Sequence, residues 1–341
     1  MSEVLIIRLS AIGDVAMTVP VVYSAAKAYP QHSFTVLTQS FLEPVFINRP
    51  PNLKVAGLNT KAKEKSLFGL IRFAFQLRKR RFDVVLDLHN VIRSRIVDFV
   101  FRMMLKKVFI IDKRRKERRE ITARPPKSLR RLCRVTDRYA EVFHKAGFVF
   151  EMSFVSLFGD SSGVPVADVK PGRRIGIAPF AKHRGKIFPL EKMEKVVGIL
   201  SGQKDVTIFL FGGRGDEEAV LSKWAERYDN VISVAGRYAL DRELELMNRL
   251  DVLVSMDSAN MHLASLVDTK VVSIWGATHP YTGFYGYRQR EDRAVQTDLP
   301  CRPCSVYGNK PCYRGDRACL NAISPEQVVA KINDCTDELP L

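Results

Sequence analysis

Two turns carry the side chains that are best suited to bind a ligand or take part in a reaction. Each turn follows an apolar run that is typical of a buried strand. The turn Asp257–Asn260 follows Val252–Val254 and leads into helix-favouring residues from Met261. At such a junction, free backbone N–H groups and the positive end of a helix dipole can hold a diphosphate. A carboxylate beside it can accept hydrogen bonds from sugar hydroxyls. The pattern favours a sugar-diphosphate site, with helix capping by Asp257 as the alternative.

The other turn, Arg8–Asp14, follows the apolar residues Val4–Ile7. Its single carboxylate, Asp14, could take a proton from an incoming hydroxyl group, and Gly13 would let a bulky substrate approach the backbone. The alternative is that Asp14 is the N-cap of a helix from Val15. The turn lacks the Gly-x-Gly-x-x-Gly pattern, so it gives no support to a dinucleotide site.

Four of the six cysteines are clustered, at Cys301, Cys304, Cys312 and Cys319. Zinc is the candidate ligand because four thiolates are a common structural zinc set, although this spacing is not that of a standard zinc ribbon. Two disulfides or four free thiols are the alternatives. We expect a structural role, since four cysteine ligands would leave no open coordination position for catalysis.

The elements around these turns alternate between strand and helix signals in both halves of the chain. In the first half the predicted elements are Val4–Leu9, Val15–Ala28, Phe34–Thr38, Ser66–Arg80 and Asp83–Asp87. A second series follows the stretch Gly159–Gly172, which has the composition of a linker. Its elements are Ile175–Ala178, Leu190–Ser201, Thr207–Phe211, Glu217–Tyr228, Asp251–Ser255, Met261–Leu266 and Val271–Trp275.

This alternation predicts an α/β protein with two doubly wound parallel sheets and a ligand crevice between the carboxyl ends of their strands. We place the domains at residues 1–160 and 170–323, followed by a helix from Ser324 and a tail at 324–341. A chain of 341 residues with 46% hydrophobic residues can bury two cores. No apolar run reaches the roughly 20 residues that span a bilayer, and Val4–Ile7 is too short for a signal peptide, so we expect a cytoplasmic protein.

The net charge of +17 is concentrated in Arg102–Arg138, which holds fifteen Lys or Arg and four Asp or Glu. Such a density attracts polyanions, whether nucleic acid, anionic lipid headgroups or a phosphorylated substrate. A solvated loop and helix face is the alternative. Nucleic-acid binding without enzymatic activity is the competing function, but Phe109 is the only aromatic residue for base stacking in this segment, and Asp14 and Asp257 would stay unexplained.

Two longer motifs, Leu5–Val15 and Asp257–Ala264, resemble those of glycosyltransferase family 9, the lipopolysaccharide heptosyltransferases. The resemblance extends to Phe82–His89 with Arg93 and Ser94, Phe211–Gly213, Ala235–Gly236 and Trp275–Pro280. It implies a GT-B fold, in which two Rossmann-like domains face each other across a cleft. The first domain would bind the acceptor, a lipopolysaccharide core or related glycan, and the second a nucleotide sugar, usually ADP-heptose. Another nucleotide sugar, used for a different surface glycan, is the alternative.

The resemblance implies an inverting single displacement in which Asp14 deprotonates the acceptor hydroxyl. The acceptor-binding candidates are Arg8, Ser10, Gly13 and Arg93. Catalysis in this scheme requires no cofactor, because helix N–H groups and a cation would stabilise the leaving diphosphate. The base and the diphosphate site would meet only when the cleft closes, which keeps the donor away from water until the acceptor is bound.

On the donor side, the resemblance assigns the phosphate-binding cation to Lys186, with Arg184 and Lys182 as competitors in the same loop. Asp257 would hold the sugar hydroxyls. The remaining donor-side candidates, which would contact the diphosphate or the nucleoside, are Ser258, Ala259, Asn260, His262, Gly213 and Glu217 or Glu218. His262 could instead only orient the helix.

An anionic acceptor would also give the basic segment a purpose. Lys106, Lys107 and Lys113–Arg119 could attract the phosphates and acidic sugars of a lipopolysaccharide-type acceptor. They could also hold the enzyme at the anionic inner face of the inner membrane. Nucleic acid is then not expected as a partner.

Overall fold

The computed structural model describes residues 1–59, 67–159 and 172–337, which divide into two units. The first comprises Met1–Arg114 and Val135–Leu157, and the second comprises Arg115–Arg134 and Phe158–Leu341. Most of the predicted linker and the predicted helix start at Ser66 lie outside the described residues.

The first unit is built on a five-stranded parallel sheet in the order β3-β2-β1-β4-β5. Its strands are β1 (Glu3–Ile7), β2 (Ser33–Gln39), β3 (Leu53–Leu58), β4 (Val84–Asp87) and β5 (Lys107–Ile110). Ile7 of β1 is paired with Leu37 of β2 and with Asp87 of β4. The strand order reverses at β1 and β4, so the turns that follow these two strands share one edge of the sheet, where ligands of such folds bind.

The helices of the first unit differ from the prediction at the residues that follow β1. They are α1 (Ile12–Ala16), α2 (Val19–Ala28), α3 (Leu67–Leu77), α4 (Ile92–Met103) and α6 (Val135–Lys145), whereas α5 (Arg115–Ile121) belongs to the second unit. The single helix predicted over Val15–Ala28 is wrong. Pro20 has no N–H to donate to the carbonyl of Ala16, so the first helix ends there and α2 begins three residues later.

The second unit is built on a six-stranded parallel sheet in the order β11-β10-β9-β6-β7-β8. Its strands are β6 (Arg173–Ala178), β7 (Val206–Leu210), β8 (Val231–Ser233), β9 (Val252–Met256), β10 (Lys270–Trp275) and β11 (Ala294–Gln296). The order reverses between β6 and β9, which are hydrogen-bonded neighbours with Ala178 opposite Ser255. The loops after these two strands are therefore the expected ligand-binding edge of this unit.

The helices of the second unit are α7 (Leu190–Ser201), α8 (Asp216–Ala225), α9 (Leu240–Met247), α10 (Ala259–Leu266), α11 (Ala318–Asn321) and α12 (Pro325–Asp337). Helix α12 begins at Pro325, one residue after the predicted start at Ser324, and the Ser324 hydroxyl accepts a hydrogen bond from the Gln327 amide. Val328 and Ile332 of α12 are buried in the core of this unit. The predicted tail is thus largely an integral part of the second unit.

The segment Arg115–Arg134 is a strap that the chain contributes to the second unit before it returns to the first. Arg118 donates to the Tyr307 hydroxyl at 2.6 Å, and Lys127 donates to the Pro303 carbonyl at 2.6 Å. The backbone N–H of Leu132 donates to the Tyr281 carbonyl. The domain boundary predicted at residue 160 does not account for this strap. Part of the basic segment is therefore engaged in contacts within the chain.

None of the helices in the described ranges is long and apolar enough to cross a bilayer.

Candidate active site

Asp14 lies in the turn after β1, inside the first turn of α1. Its Oδ2 is 2.8 Å from Arg8 Nη2 and accepts a 3.4 Å hydrogen bond from the Ala11 amide. Ala11, not Asp14, is the N-cap residue, because the helix begins three residues earlier than predicted. One quarter of the Asp14 side chain is exposed. The carboxylate is therefore fixed in place yet open to a ligand.

Arg8 holds Asp14 from the end of β1. The guanidinium is buried, and its Nη1 donates to the Leu88 carbonyl at 2.8 Å. It also lies over the ring of Tyr139, 5.8 Å from the centroid, and the Tyr139 hydroxyl donates to the backbone carbonyl of Asp14. Contacts with the turn after β4 and with α6 thus fix the Arg8–Asp14 pair in a single arrangement.

His89, in the turn after β4, is a further polar group beside this pair. Its Nδ1 accepts a hydrogen bond from the Leu9 amide at 3.4 Å, and the side chain is buried. Burial and the nearby Arg8 charge lower the pKa of His89 to about 3, so the imidazole is neutral at pH 7. His89 is not among the predicted site residues, although its place at the end of a strand adjacent to β1 is the signal that identifies it.

The turn after β4 is itself organised by a buried carboxylate. Asp87 Oδ1 accepts the amides of His89 and Asn90 at 2.7 and 2.9 Å, and Asp87 Oδ2 accepts the Ser94 hydroxyl at 2.7 Å. Burial and the charge of Asp87 raise the pKa of Asp98 to about 8, so Asp98 is mostly protonated at neutral pH.

The structure brings three of the four predicted acceptor-side residues together with Asp14. Arg8, Ser10 and Gly13 belong to the turn that carries the carboxylate. Arg93 is exposed on the first turn of α4, and its charge contributes to lowering the pKa of His89, which accepts the Leu9 amide of this turn.

Lys186 and Asp257 form an ion pair at the carboxyl edge of the second sheet. Lys186 Nζ is 2.8 Å from Asp257 Oδ2, and the two side chains are 15% and 4% exposed. Lys186 ends the 3-10 turn Arg184–Lys186, which follows β6, and Asp257 directly follows β9. Because β6 and β9 are neighbours, the loops after them place a cation and a carboxylate in one site.

The loop that carries Lys186 is fixed by close backbone contacts. The Gly185 carbonyl accepts the Ala277 amide at 2.9 Å. A Cβ atom on Gly185 would lie 2.8 Å from the Gly308 carbonyl oxygen, and one on Gly276 would lie 2.6 Å from the Gly185 carbonyl oxygen. Only glycine fits this approach of three loops. The competing cations in the same loop, Arg184 and Lys182, are exposed.

The start of α10 completes this edge. Ser258 is the N-cap residue, and its Oγ lies 3.1 Å from Ser255 Oγ. Ala259 and Asn260 are the first helical residues, whose N–H groups have no acceptor within the helix. Asp257 is therefore not the cap, and His262 is buried within α10.

Gly213 and Glu217 contact each other in the loop between β7 and α8. The Gly213 amide donates to Glu217 Oε2 at 2.7 Å. In this arrangement the Glu217 carboxylate forms a hydrogen bond within its own loop. The neighbouring Glu218 carboxylate also accepts a hydrogen bond from this loop, from the Gly215 amide at 3.4 Å.

Comparison with known proteins decides the family. The model of glycosyltransferase family 9, the heptosyltransferases, matches residues 70–312. The chain belongs to glycosyltransferase family 9. The motifs within this match include Asp257–Ala264, which carries the Asp257 side of the ion pair.

Family 9 relatives resemble the chain along nearly its whole length. Lipooligosaccharide heptosyltransferase 2 of Campylobacter jejuni is 22% identical over 326 residues, with 93% of each chain covered. A solved family 9 structure from Veillonella parvula has a TM-score of 0.72 at 20% identity and covers 98% of this chain and 97% of that one. The Escherichia coli heptosyltransferase WaaC with ADP-2-deoxy-2-fluoro heptose has a TM-score of 0.69 at 17% identity, with 97% and 99% covered. The chain is thus a family 9 glycosyltransferase with the GT-B fold.

The cysteine cluster lies in the second unit beside the Lys186 loop. Cys301, Cys304, Cys312 and Cys319 are free thiols that line one cavity of about 710 Å³. Within residues 1–59, 67–159 and 172–337, no three His, Cys, Asp or Glu side chains are placed to hold a metal ion. The four sulfurs have the chemistry of a zinc set and border one space, but they do not converge, so the zinc site stays a prediction.

Metal analysis of the purified protein tests this prediction. One equivalent of zinc per chain is the expected result, because four thiolates bind zinc tightly enough to retain it during purification. Cys304→Ser should lose the metal and lower the melting temperature, whereas Cys133→Ser, which changes a thiol outside this cavity, should retain it. Metal-free wild-type protein with unaltered stability would remove zinc from the description of this loop.

Proposed function

We propose that this protein transfers a heptose from ADP-heptose to a lipopolysaccharide core acceptor, with inversion at the anomeric carbon and Asp14 as the general base. The observation that carries the proposal is the Lys186–Asp257 pair beside the start of α10 in a family 9 chain. Relatives named as lipooligosaccharide and lipopolysaccharide heptosyltransferases support the sugar and the acceptor class. The reaction would take place on the cytoplasmic side of the inner membrane.

The donor would bind with its diphosphate on the first N–H groups of α10. Lys186 uses one of its three ammonium protons for Asp257 and has others for a phosphate oxygen. Asp257 would accept hydrogen bonds from the sugar hydroxyls, and Lys186 neutralises its charge so that the nearby phosphates are not repelled. The amides of Ala259 and Asn260 add dipoles of the sign that an anion requires.

The displacement would proceed in one step. The acceptor hydroxyl oxygen forms a bond to the anomeric carbon, the bond from that carbon to the diphosphate oxygen breaks, and the hydroxyl proton moves to Asp14. ADP leaves with the bonding electron pair, and Lys186 and the α10 amides stabilise the charge that develops on it. Arg8 fixes the Asp14 carboxylate for this role, and Gly13 leaves room for the acceptor.

Thermal stabilisation by nucleotides and nucleotide sugars tests the donor. A ligand that binds only the folded protein raises the melting temperature as its concentration increases. ADP and ADP-heptose should raise it, whereas UDP, GDP and their sugars should not. A shift with a UDP- or GDP-sugar and none with ADP-heptose would contradict the heptose assignment. Transfer of heptose to a heptose-free lipopolysaccharide core, followed by mass spectrometry, then tests the acceptor.

A further inference from the structure

An open apolar groove lies between α3 and α4 on the first unit. It has a volume of about 350 Å³, and the residues that line it include Ile71, Phe75, Ile92, Ile96, Phe99 and Met103. Ile92, Phe99 and Met103 are 80%, 63% and 68% exposed. Other side chains of the same helices, among them Leu70 and Val97, are buried in the core, so these helices have a second apolar side that stays exposed among the described residues. Exposed apolar side chains grouped on one side of two helices are a feature of interaction surfaces.

Leu105 is a further exposed apolar residue, two positions after Met103 in the chain. Its side chain is 94% exposed, and its backbone has a φ of +58°, a region that favours glycine or asparagine. A leucine at this position strains the backbone and gains almost no packing within the fold. The stability of the unit therefore gives no reason for a bulky apolar side chain here, whereas contact with an external apolar phase does.

The charges around the groove are positive. Arg72, Arg95 and Arg102 are exposed on these helices, and Lys107 is exposed at the start of β5. Residues 67–82 and 88–111 contain a single acidic residue, Asp98, which is buried. The exposed carboxylates that border these ranges are Asp83, which is paired with Lys106, and Asp112. Projecting apolar side chains flanked by an excess of cations are complementary to a bilayer whose headgroups are anionic.

We propose that the α3–α4 surface, defined by the groove residues together with Leu105 and the flanking cations, docks the enzyme on an anionic phospholipid bilayer. The apolar side chains would enter the interface while the arginines contact phosphate groups. This deepens the proposed function and rests on it, because a membrane-embedded lipopolysaccharide precursor is the reason for the enzyme to work at a bilayer. It also assigns the contact to a different surface from the predicted Lys113–Arg119, most of which belongs to the strap in the second unit.

Vesicle sedimentation of the full-length protein without donor or acceptor tests the surface. The protein should bind vesicles of phosphatidylglycerol and phosphatidylethanolamine, bind phosphatidylcholine vesicles far more weakly, and lose affinity as salt increases. Phe99→Glu should reduce binding on the order of tenfold, because it puts a charge where an apolar group enters the interface. The matched control is Val149→Glu, which places the same charge at a 68% exposed apolar residue outside the groove and should bind as the wild type does.

Leu105→Gly separates docking from folding. It relieves the positive φ, so the melting temperature should stay the same or increase while vesicle binding decreases. The proposal would be overturned if the wild-type protein does not bind anionic vesicles. It would also be overturned if this surface binds an acidic protein partner instead. So would a Phe99→Glu variant that binds as tightly as the wild type. Failure of vesicle binding with intact heptosyl transfer to a soluble core acceptor refutes the docking surface alone. Intact vesicle binding without transfer refutes the proposed reaction alone.

Discussion

Asp14→Asn is expected to lower kcat for heptosyl transfer by about 10²–10⁴-fold, because the amide cannot take the acceptor proton. The KM for the nucleotide sugar should change little, since Asp14 lies in the first unit and the donor-side residues in the second. The amide oxygen can still accept the hydrogen bond from Ala11, so the turn should keep its shape. Steady-state kinetics with ADP-heptose and a heptose-free core acceptor measure both constants.

Asp83→Asn is the control for Asp14→Asn. Asp83 is also an aspartate of the first unit that is paired with a cation, with its Oδ1 3.4 Å from Lys106 Nζ, but it precedes β4 and so lies at the opposite end of the strands. The kcat of the Asp83→Asn variant should equal that of the wild type. An Asp14→Asn variant as active as this control would remove Asp14 as the base.

Lys186→Met is expected to destabilise the protein by about 3 kcal/mol, because it leaves the nearly inaccessible Asp257 carboxylate without its cation. Methionine keeps the length and apolar stem of lysine, so the effect reports the lost charge. ADP affinity should fall on the order of tenfold or more, the value of a hydrogen bond between charged groups. Denaturant unfolding and calorimetric titration with ADP measure the two effects.

A double substitution separates these effects. Lys186→Met combined with Asp257→Asn should recover most of the stability, since no buried charge is left unpaired, yet it should not recover ADP affinity. Lys182→Met, the same change at an exposed lysine of the same loop, should leave stability and ADP affinity nearly unaltered. If the double variant is no more stable than Lys186→Met, the pair is not the source of the destabilisation.

The sequence predicts where the key side chains lie along the fold but not how they are paired. Asp14 and Asp257 each come after an apolar run. The pattern of apolar residues and the turn residues therefore suffice to place both at the carboxyl ends of strands. The pairing of Lys186 with Asp257 depends on β6 lying beside β9, although 73 residues lie between the end of β6 and the start of β9 in the chain. The environment of Arg8 likewise depends on β4 and α6 meeting β1. Local patterns do not fix such non-local neighbours.

The elements missed by the sequence analysis have weak local signals. The strand β5 is only Lys107–Ile110, and it lies within the basic segment that the composition alone describes as a loop and helix face. Helix α4 begins with Ile-Arg-Ser-Arg and exposes several of its apolar residues, so its pattern does not have the usual single buried side. With α6 also unassigned, the contact of Tyr139 with Arg8 was not accessible from the sequence.

The strap Arg115–Arg134 has a consequence for how this protein can be divided. Ile121 and Leu132 in the strap are buried, and they are encoded upstream of the position near residue 160 where a gene would be cut to separate two domains. The downstream half would lack a segment that completes its own fold. The upstream half would carry that apolar and strongly basic segment without the second unit on which it packs. Domain expression therefore requires a grafted or permuted chain, and the two halves can be exchanged between homologues only if the strap moves with the half that it covers.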